Sequence, residues 1–390
     1  MRALAIVQER IAKRLGFIHV MRLNALWRVV TALLVGERLW LTALGRSMLG
    51  AARPKHAIKC VDRLLGNPHL FRERFRIAAA LTELVIRGTS RPIILVDTVE
   101  VRHRYVAITA ALAMGGRTLP IWSIVSTHYK VKLGELRRFL DGLKKVLPAG
   151  ASPILVTDAG FEQPWLRLLD ALGWDYIARA RGQTQVRIDD KWVALATIRA
   201  KAGRRARNLG TCGLPKRDPD DRRIVLSRVP VSKHRQISTR QGPARGTNYH
   251  AYRKNAYEPL VLVTSLTSAP EQVVELYRLR MQIEQTFRDL KNHRWGWSMR
   301  HCLSKSRDRI EILLLIASIA MLVQHLIGVA GELTGLQRAH QANTVRDRRV
   351  LSTFFLGALL LRRAQVFEIR DLLHALRELR RRIRGARDYA

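Results

Sequence analysis

The chain has 390 residues, of which 47% are hydrophobic, and it carries 69 Lys and Arg against 31 Asp and Glu. This hydrophobic share excludes a disordered basic tail, because a chain of this length and composition can bury the cores of two or three domains. The formal net charge of +38 predicts a nucleic-acid partner, since basic side chains that neutralise phosphates release counterions. An anionic membrane surface is the second candidate.

The cysteines point to the compartment. Cys60, Cys212 and Cys302 are isolated from one another, and no His lies at metal-binding spacing from them. This pattern argues against structural zinc and against a disulfide framework, so a protein of the reducing cytoplasm is expected. The N-terminal stretch MRALAIVQERIAKRLGF is charged throughout and has no continuous apolar signal core.

The apolar stretch at 310–331 raises the question of a membrane span. Its uninterrupted apolar part is shorter than the roughly 20 residues that a spanning helix needs. Glu311, Gln324 and His325 bracket that part. We therefore expect a buried core helix and no membrane partner.

Residues 1–88 are predicted to form a helical domain. Within it, RPKHAIKCVDRLLGN places Pro54 in a first helical turn and Gly66 at a helix end. Three basic residues recur at every fourth position on the outer face of this helix: Lys55, Lys59 and Arg63. After the helical LTALGRSML, the spacing suits a helix-turn-helix pair that presents a basic helix to DNA. A solvated basic face on a small bundle is an equal alternative.

From residue 91 the pattern changes to strands. RPIILVD, RYVAITAALAM and TLPIWSIVST are strand candidates, and the helical LGELRRFLDGLKKVL follows them. Next come the strand SPILVTD, the helix FEQPWLRLLDALG and the strand WDYIARAR. The order of three strands, helix, strand, helix and strand predicts an α/β fold, with the first part of a ribonuclease-H-like core over 89–185.

The closing helix of such a core is expected later in the chain, after an insertion. Residues 186–258 contain 18 Lys or Arg against 6 Asp or Glu, among short β-prone pieces such as RRIVLSRVPV. We interpret this segment as a basic, β-rich insertion subdomain. EPLVLVTSL then returns the chain to the core, which 259–302 completes with a helix. Residues 303–390 are predicted to be a helical domain for dimerisation or DNA contact.

Two carboxylates follow apolar strand sequences. Asp97 ends IILVD and Asp158 ends PILVTD, and such strand ends face the ligand crevice in open α/β sheets. Neighbouring carboxylates repel unless they share a proton or a cation, so a divalent ion such as Mg²⁺ is the expected partner. A third carboxylate, Glu284, would allow two ions about 3.5–4 Å apart at a phosphodiester. For Asp158, which precedes Ala-Gly, a turn or cap role is as strongly indicated.

The stretch YRLRMQIEQTFRDLK at 277–291 is predicted to be one amphipathic helix. At about 100° per residue, four polar residues fall on one edge of it: Tyr277, Arg280, Glu284 and Lys291. Glu284 would bind metal, Arg280 and Lys291 would hold phosphates, and Tyr277 would hydrogen-bond the backbone or orient a neighbour. The alternative is that Glu284 forms ordinary i, i+4 ion pairs on the helix.

These residues reproduce the spacing Y-x2-R-x3-E-x6-K, which resembles the signature of a large family of bacterial insertion-sequence DDE transposases. TDAGF at 157–161 is similar to the second-acid motif of that family, and IILVDTVEV to its first. MQIEQTFRDLK, LLIA and QANTVRDRRVLST resemble a narrower branch, the cut-and-paste enzymes of composite antibiotic-resistance transposons. The likeness covers roughly residues 20 to 370.

The resemblance implies a ribonuclease-H-like core with Asp97, Asp158 and Glu284 as its catalytic triad. It implies two Mg²⁺ ions per active site, with Mn²⁺ as a substitute. The expected enzyme is a nucleoid-associated homodimer that cuts DNA at paired terminal inverted repeats, forms and reopens a hairpin, and joins the ends to target DNA. The insertion would help to handle the hairpin through an aromatic that holds a flipped base, and Trp192 is the candidate. A tryptophan of the β-core is an equal interpretation of Trp192.

Two other functions remain open from the sequence. One is a ribonuclease-H-like nuclease or resolvase without strand transfer, although the insertion and the complete helix motif favour a transposase. The other is a noncatalytic DNA-binding repressor. Acids at all three expected positions argue against a decayed enzyme.

Overall fold

The computed structural model describes residues 1–50, 53–102, 105–128, 131–182, 184–228, 258–294, 296–342, 344–345 and 347–385. The fold is mixed α/β, as the sequence predicts, and the chain divides into two compact units. The first unit contains Met1–Pro153 and Leu279–Asp388, and the second contains Ile154–Arg278.

The first unit begins with helices, whose bounds are α1 (Arg2–Ala12), α2 (Val20–Gly36), α3 (Leu41–Arg46), α4 (Pro54–Leu65) and α5 (Pro68–Ile86). Proline occupies the first turn of both α4 and α5, where its missing N–H breaks no helical hydrogen bond. The Asn67 side chain caps α5 by accepting a 2.9 Å hydrogen bond from the Leu70 amide.

Helices α3 and α4 pack closely at a glycine. A Cβ on Gly45 would lie 2.5 Å from the Ile58 backbone, so only glycine allows this approach. The inner face of α4 is buried at Val61 and Leu65. The two helices expected in LTALGRSML and RPKHAIKCVDRLLGN are thus present and pack against each other.

An antiparallel meander follows the helices, formed by β1 (Ile93–Arg102), β2 (Tyr105–Ala113) and β3 (Thr118–Ser126). Asp97 pairs with Thr109 of β2 in the middle of β1, so the expectation that Asp97 ends its strand is wrong. The strand continues because the residues after Asp97 alternate between apolar and polar side chains and keep pairing with β2. Helix α6 (Leu133–Val146) comes next.

The second unit contains β4 (Ile154–Thr157), α7 (Gln163–Leu172), β5 (Asp175–Arg179), β6 (Gln185–Ile188), β7 (Lys191–Ala194), α8 (Leu195–Ala200), β8 (Arg207–Leu214), β9 (Asp220–Ser227), β10 (Leu260–Thr264) and α9 (Pro270–Arg278). Its described strands lie in the order β4-β5-β10-β9-β8-β6-β7. β4 and β5 are parallel, whereas β10 is antiparallel to both β5 and β9. Strands β6 to β9 match the β-rich character predicted for 186–258, of which residues 229–257 lie outside the described part.

The chain returns to the first unit with α10 (Met281–Lys291), α11 (Arg307–Leu333), α12 (Leu336–His340), α13 (Thr353–Arg362) and α14 (Ile369–Gly385). Helix α11 is long and apolar enough to cross a membrane by length and composition, but 94% of its most apolar window is buried inside the protein. Its polar residues Glu311, Gln324 and His325 are buried as well. We conclude that α11 is a core helix, as expected.

A buried ion-pair cluster ties α11 to three other elements. The Glu311 carboxylate, whose side chain is fully buried, accepts hydrogen bonds from Arg74 of α5 and, at 2.8 Å, from Arg138 of α6. It also accepts a 2.9 Å hydrogen bond from the Val125 amide of β3. The Arg74 guanidinium lies 4.8 Å from the Trp122 ring centroid, a cation–π distance. A carboxylate buried this deeply is stable only while these donors remain in place.

Candidate active site

Two acids and one arginine meet in the first unit. The Asp97 side chain, which is 12% exposed, accepts a hydrogen bond at Oδ2 from Nη1 of Arg280 at 3.3 Å. Nη2 of the same guanidinium lies 2.5 Å from Oε1 of Glu284. Asp97 Oδ1 also accepts a 2.7 Å hydrogen bond from the Thr98 amide. One cation therefore bridges two carboxylates that are far apart in the sequence.

Helix α10 positions Glu284 in its first turn, with Arg280 as the residue that precedes the helix. The buried face of α10 consists of Ile283, Phe287 and Leu290. Glu284 lies beside this buried face, and 41% of its side chain is exposed. The positive end of a helix dipole favours a carboxylate at this position.

Two hydrogen bonds fix the position of α10 against the meander. The Thr118 amide of β3 donates to Thr286 Oγ1 at 2.8 Å, and the Met114 amide donates to Gln282 Oε1 at 3.2 Å. Gln282 and Thr286 lie on either side of Glu284 along the helix. The meander that contains Asp97 therefore also fixes the position of Glu284 along the helix axis and its rotation about that axis.

The continuous helix predicted from 277 to 291 is wrong. Helix α9 ends at Arg278 and α10 begins at Met281, with a turn at Leu279 and Arg280. The Gln282 amide donates to the Leu279 carbonyl, an i, i+3 bond that starts a new helix. Neither Gly nor Pro occurs at this turn, so no local sequence feature indicates it. Arg280 directly precedes the new helix with helical backbone angles, and its guanidinium pairs with Glu284 at i, i+4 and with Asp97.

Asp97 and Glu284 line a cavity of about 520 Å³. Its wall includes five residues with basic side chains: Arg288, Lys291, His293, Arg300 and His301. Of these only Lys291 was selected as a site residue from the sequence. Arg288, one turn beyond Glu284, has helical spacing as its only signal. Arg300 and His301 belong to a short 3-10 helix, Met299–His301, that no sequence pattern indicated.

Lys291 stands at the end of α10, two turns beyond Glu284 on the same cavity wall. Burial lowers the pKa of its ammonium group from the ordinary value, and the neighbouring Arg300 lowers it further. The charges of Glu100 and Asp97 act in the opposite direction and raise it. The cavity thus combines an acidic end near Asp97 and Glu284 with cationic walls, an arrangement suited to an anion that approaches bound cations.

Asp158 belongs to the second unit and directly follows β4, as the sequence predicts. Its Oδ1 accepts a 2.8 Å hydrogen bond from the Gly160 amide, which is the turn-forming interaction expected of Asp before Ala-Gly. A Cβ on Gly160 would lie 3.1 Å from this oxygen, so glycine keeps the carboxylate in its turn. The turn therefore uses one carboxylate oxygen of Asp158 and leaves the second for other contacts.

The donor chemistry of the first unit suits a divalent ion. Mg²⁺ is bound in proteins by one or two carboxylates, with water and substrate phosphate completing its shell. Asp97 and Glu284 supply two such carboxylates on one cavity, and both already share one cation, the Arg280 guanidinium. Among the described residues, no group of three or more His, Cys, Asp or Glu is arranged to hold a metal ion.

Two aromatic residues from the sequence prediction lie in the second unit. Tyr277 lies on α9 and is 6% exposed, so it does not share a helix with Glu284. Its electrostatic interaction raises the pKa of Arg179. Trp192 lies on β7 and is partly exposed. The Arg187 guanidinium, on the paired position of β6, is 5.9 Å from the Trp192 ring centroid. A cation beside an accessible indole is a contact surface that a base could use.

The basic row predicted on α4 is exposed in the structure. Lys55, Lys59 and Arg63 all lie on the solvent side of the helix, opposite the buried Val61 and Leu65. Asp62, beside this row, pairs with Arg309 of α11. Because Asp62 pairs with Arg309, it is not among the acids that would neutralise the row, and three exposed positive charges in line suit contacts with a phosphate backbone.

Comparison with known proteins identifies the family. No curated protein matches the chain. The family model described as "Transposase DDE domain" matches residues 91–322, more than half of the chain. That match includes the meander with Asp97, the strand before Asp158 and the helix with Glu284. The chain belongs to the DDE transposase domain family, whose members are enzymes that act on DNA.

Proposed function

We propose that this chain is a cut-and-paste DNA transposase that cleaves the ends of its element and joins them to target DNA. The observation that carries the proposal is the meeting of Asp97 and Glu284 at one cation, in a cavity with basic walls. Enzymes of this family generally use divalent metal ions. A nonspecific DNA-binding protein has no need of two clustered carboxylates beside its basic residues.

We assign Asp97, Asp158 and Glu284 as the metal-binding carboxylates, with two Mg²⁺ ions, or Mn²⁺ as a substitute, in each active site. Bound ions of this kind activate the attacking oxygen and stabilise the leaving oxygen of a phosphodiester. Asp97 is held rigidly by its strand and by the Thr98 amide. Glu284 is held by a helix that Gln282 and Thr286 fix in place.

The cations around these acids have separate roles in the proposal. Arg280 neutralises Asp97 and Glu284 before metal and DNA arrive, and then pairs with a phosphate oxygen. Lys291, at the far end of α10, holds a second phosphate of the same strand. Tyr277 would hydrogen-bond the backbone or orient a neighbouring side chain. The half-buried position of Lys291 favours contact with a desolvated phosphate, since burial already weakens its hydration.

The proposed reaction begins with hydrolysis of one strand at each end of the element. The freed 3′-hydroxyl then attacks the opposite strand and forms a hairpin, which is reopened and joined to target DNA. Trp192 would stack on a base extruded at the hairpin, because an accessible indole binds any base face. Its neighbour Arg187 would pair with the adjacent phosphate.

The rest of the chain is assigned by the same argument. A ribonuclease-H-like core would comprise 89–185 and 259–302, with the basic insertion 186–258 between its parts. Residues 1–88 would bind the terminal inverted repeat, with Lys55, Lys59 and Arg63 on the backbone. Residues 303–390 would form the dimer interface or contact DNA, in a homodimer that pairs two ends in the nucleoid of the cytoplasm.

The test uses DNA from the flanks of the gene. Sequencing of these flanks identifies short inverted repeats, and a fragment that carries one repeat serves as substrate with Mg²⁺. Hairpin and integrated products would support the transposase. Nicks without hairpin or joining would favour a nuclease or resolvase, and binding without cleavage would favour a repressor.

A further inference from the structure

Three arginines surround one carboxylate in the second unit. Glu258 Oε2 accepts 2.9 Å hydrogen bonds from Arg179 Nη2 and from Arg181 Nε. Glu258 Oε1 pairs with Arg199 Nη1. The cluster, defined here as Arg179, Arg181, Arg199 and Glu258, therefore carries three positive charges and one negative charge. We refer to it as the arginine cluster.

The arginine cluster contains more donors than acceptors. Four buried N–H groups have no hydrogen-bond partner within the described part of the chain: Arg179 Nε, Arg181 Nη2, Arg199 Nε and Arg199 Nη2. The side chains of Arg179 and Arg199 are only 13% and 14% exposed. Buried charged donors are stable only when an acceptor reaches them, so these four N–H groups are suited to an anionic partner.

Two other arginines of this unit, Arg167 and Arg222, have a different charge balance from the arginine cluster. Arg167 pairs with both Asp218 and Asp220. Arg222 pairs with Asp170 and shares Asp220. In these pairs the number of carboxylates equals or exceeds the number of guanidinium groups, whereas Glu258 is one carboxylate among three guanidinium groups.

The segment of sequence that precedes Glu258 cannot supply the missing charge. Residues 229–257 contain six Lys or Arg and neither Asp nor Glu. Burial lowers the pKa of the Arg179 guanidinium from its ordinary value, and the charges of Arg181 and Arg199 lower it further, against Tyr277 and Glu258, which raise it. Among the described residues Glu258 is the acid that pairs with these arginines, and 229–257 adds none. We therefore look for the balancing anion in a ligand.

The position of the arginine cluster indicates which anion fits. Arg179 is the last residue of β5, and Thr157 of the parallel β4 pairs with Ala178. The next residues along the two strands, Asp158 and Arg179, therefore stand at the same level at their carboxyl ends. A guanidinium fork binds two oxygens of one tetrahedral oxyanion at once.

We propose that the arginine cluster is a phosphate-binding site that holds one backbone phosphate of a DNA strand beside Asp158. The buried N–H groups supply the fork, and Glu258 holds the three guanidinium groups together. This inference deepens the proposed function and rests on it for the identity of the strand. The phosphate would fix the register of the strand in the second unit, so the arginines are positioning residues.

The first test omits DNA. Inorganic phosphate is titrated against the full chain at constant ionic strength, with chloride as the reference salt, and the melting temperature is followed. Saturable stabilisation by phosphate is expected for the wild type. In Arg199→Met the apparent Kd should rise by about tenfold or more, the effect of losing one charged hydrogen-bond donor. Arg167→Met, which removes an arginine balanced by two acids, should leave the phosphate response unchanged.

The same variant separates a phosphate site from a purely structural ion-pair cluster. Without phosphate, Arg199→Met should melt at or above the wild-type temperature, because the substitution relieves repulsion between like charges. A lower melting temperature with an unchanged phosphate response would overturn the inference. If Arg199→Met does not fold, Arg181→Met, whose side chain is 35% exposed, replaces it under the same criteria.

The second test identifies the DNA phosphate. Cleavage of an end-bearing fragment is measured with neutral methylphosphonate links placed one at a time. At one position the methylphosphonate link should slow cleavage by the wild type but have little further effect on cleavage by Arg199→Met. Additive effects at every position would contradict the DNA assignment. Because the phosphate titration needs no cleavage, a positive titration with no cleavage activity would refute the transposase and leave the anion site standing.

Discussion

Arg280 and Asp97 are 183 positions apart in the sequence, and their side chains form an ion pair of 3.3 Å. The same guanidinium holds Glu284. Arg280 therefore occupies the position of a cation between two carboxylates of the proposed metal site. Metal binding and this ion pair compete for the same oxygens, and the competition can be measured.

Arg280→Ala should increase the stabilisation of the protein by Mg²⁺. In the variant two carboxylates lose their shared cation, which should cost about 1–3 kcal/mol of folding free energy without metal. Mg²⁺ should then bind with less competition and raise the melting temperature more than in the wild type. Thermal unfolding with and without Mg²⁺ measures both effects. An equal Mg²⁺ shift in the two proteins would show that the carboxylates do not bind the ion.

Glu284→Gln should abolish cleavage while end binding persists. The amide keeps the shape of the side chain but loses the charge, and loss of groups that only support a metal ligand already costs about 10–100-fold. Gel-shift and cleavage assays on one end-bearing fragment separate binding from chemistry. Glu275→Gln, an exposed acid on α9, is the matched control and should cleave normally. Retained cleavage by Glu284→Gln removes Glu284 from the metal site.

Trp192→Ala should reduce hairpin formation more than the first nick. If the indole stacks on an extruded base, the loss should amount to about 1–3 kcal/mol in the hairpin step, and Trp192→Phe should restore most of it. Product analysis over time resolves the two steps. Equal loss in both steps, with a lowered melting temperature and no rescue by Phe, assigns Trp192 to the β-core instead.

His325 should make the stability of the protein fall at acidic pH. Burial, assisted by the charges of Arg117 and Arg382, lowers the pKa of His325 to about 3. In the unfolded chain His325 takes up a proton near pH 6.5, but the folded protein does not. Its contribution to stability is therefore present above pH 6.5 and is lost progressively as the pH falls towards 3.

The loss attributed to His325 should reach about 3–5 kcal/mol at the acidic limit. Urea unfolding of the wild type and of His325→Phe between pH 4 and pH 7 measures it as the difference between the two proteins, which cancels the titration of the carboxylates. The difference should shrink or reverse in favour of the variant as the pH falls. Parallel pH profiles would contradict a neutral buried imidazole.

Glu311→Ala should destabilise the first unit strongly. The substitution leaves Arg74 and the Val125 amide without their buried acceptor, and loss of one partner of a buried ion pair costs about 3–5 kcal/mol. Arg138→Ala should cost less, because that side chain is 34% exposed and water replaces its contact. Denaturant unfolding measures the free energy of unfolding that each variant loses. A smaller loss for Glu311→Ala than for Arg138→Ala would exclude Glu311 as the centre of the cluster.

Much of the element order could be predicted from the sequence. The residues before Asp97 and Asp158 are short apolar runs, and the helix with Glu284 has a clear apolar stripe. Such patterns depend on side chains a few positions apart, so local periodicity is sufficient to find them. The chemistry of the carboxylates and the basic charge balance follow from composition and spacing in the same way.

Other features were decided by contacts between distant segments. Continued pairing with β2 places Asp97 inside its strand, and a turn without Gly or Pro separates Tyr277 from Glu284. Neither the bridge at Arg280 nor the three arginines around Glu258 has a local signature. The paired residues in these two clusters lie 77 or more positions apart along the chain, with two exceptions. The exceptions are Arg280 with Glu284, at i, i+4, and Arg199 with Glu258. The sequence by itself determined which residue types the protein has for metal and phosphate chemistry. Tertiary packing decided which of these residues come into contact, because the energy of an ion pair depends on distance in space and not on separation along the chain.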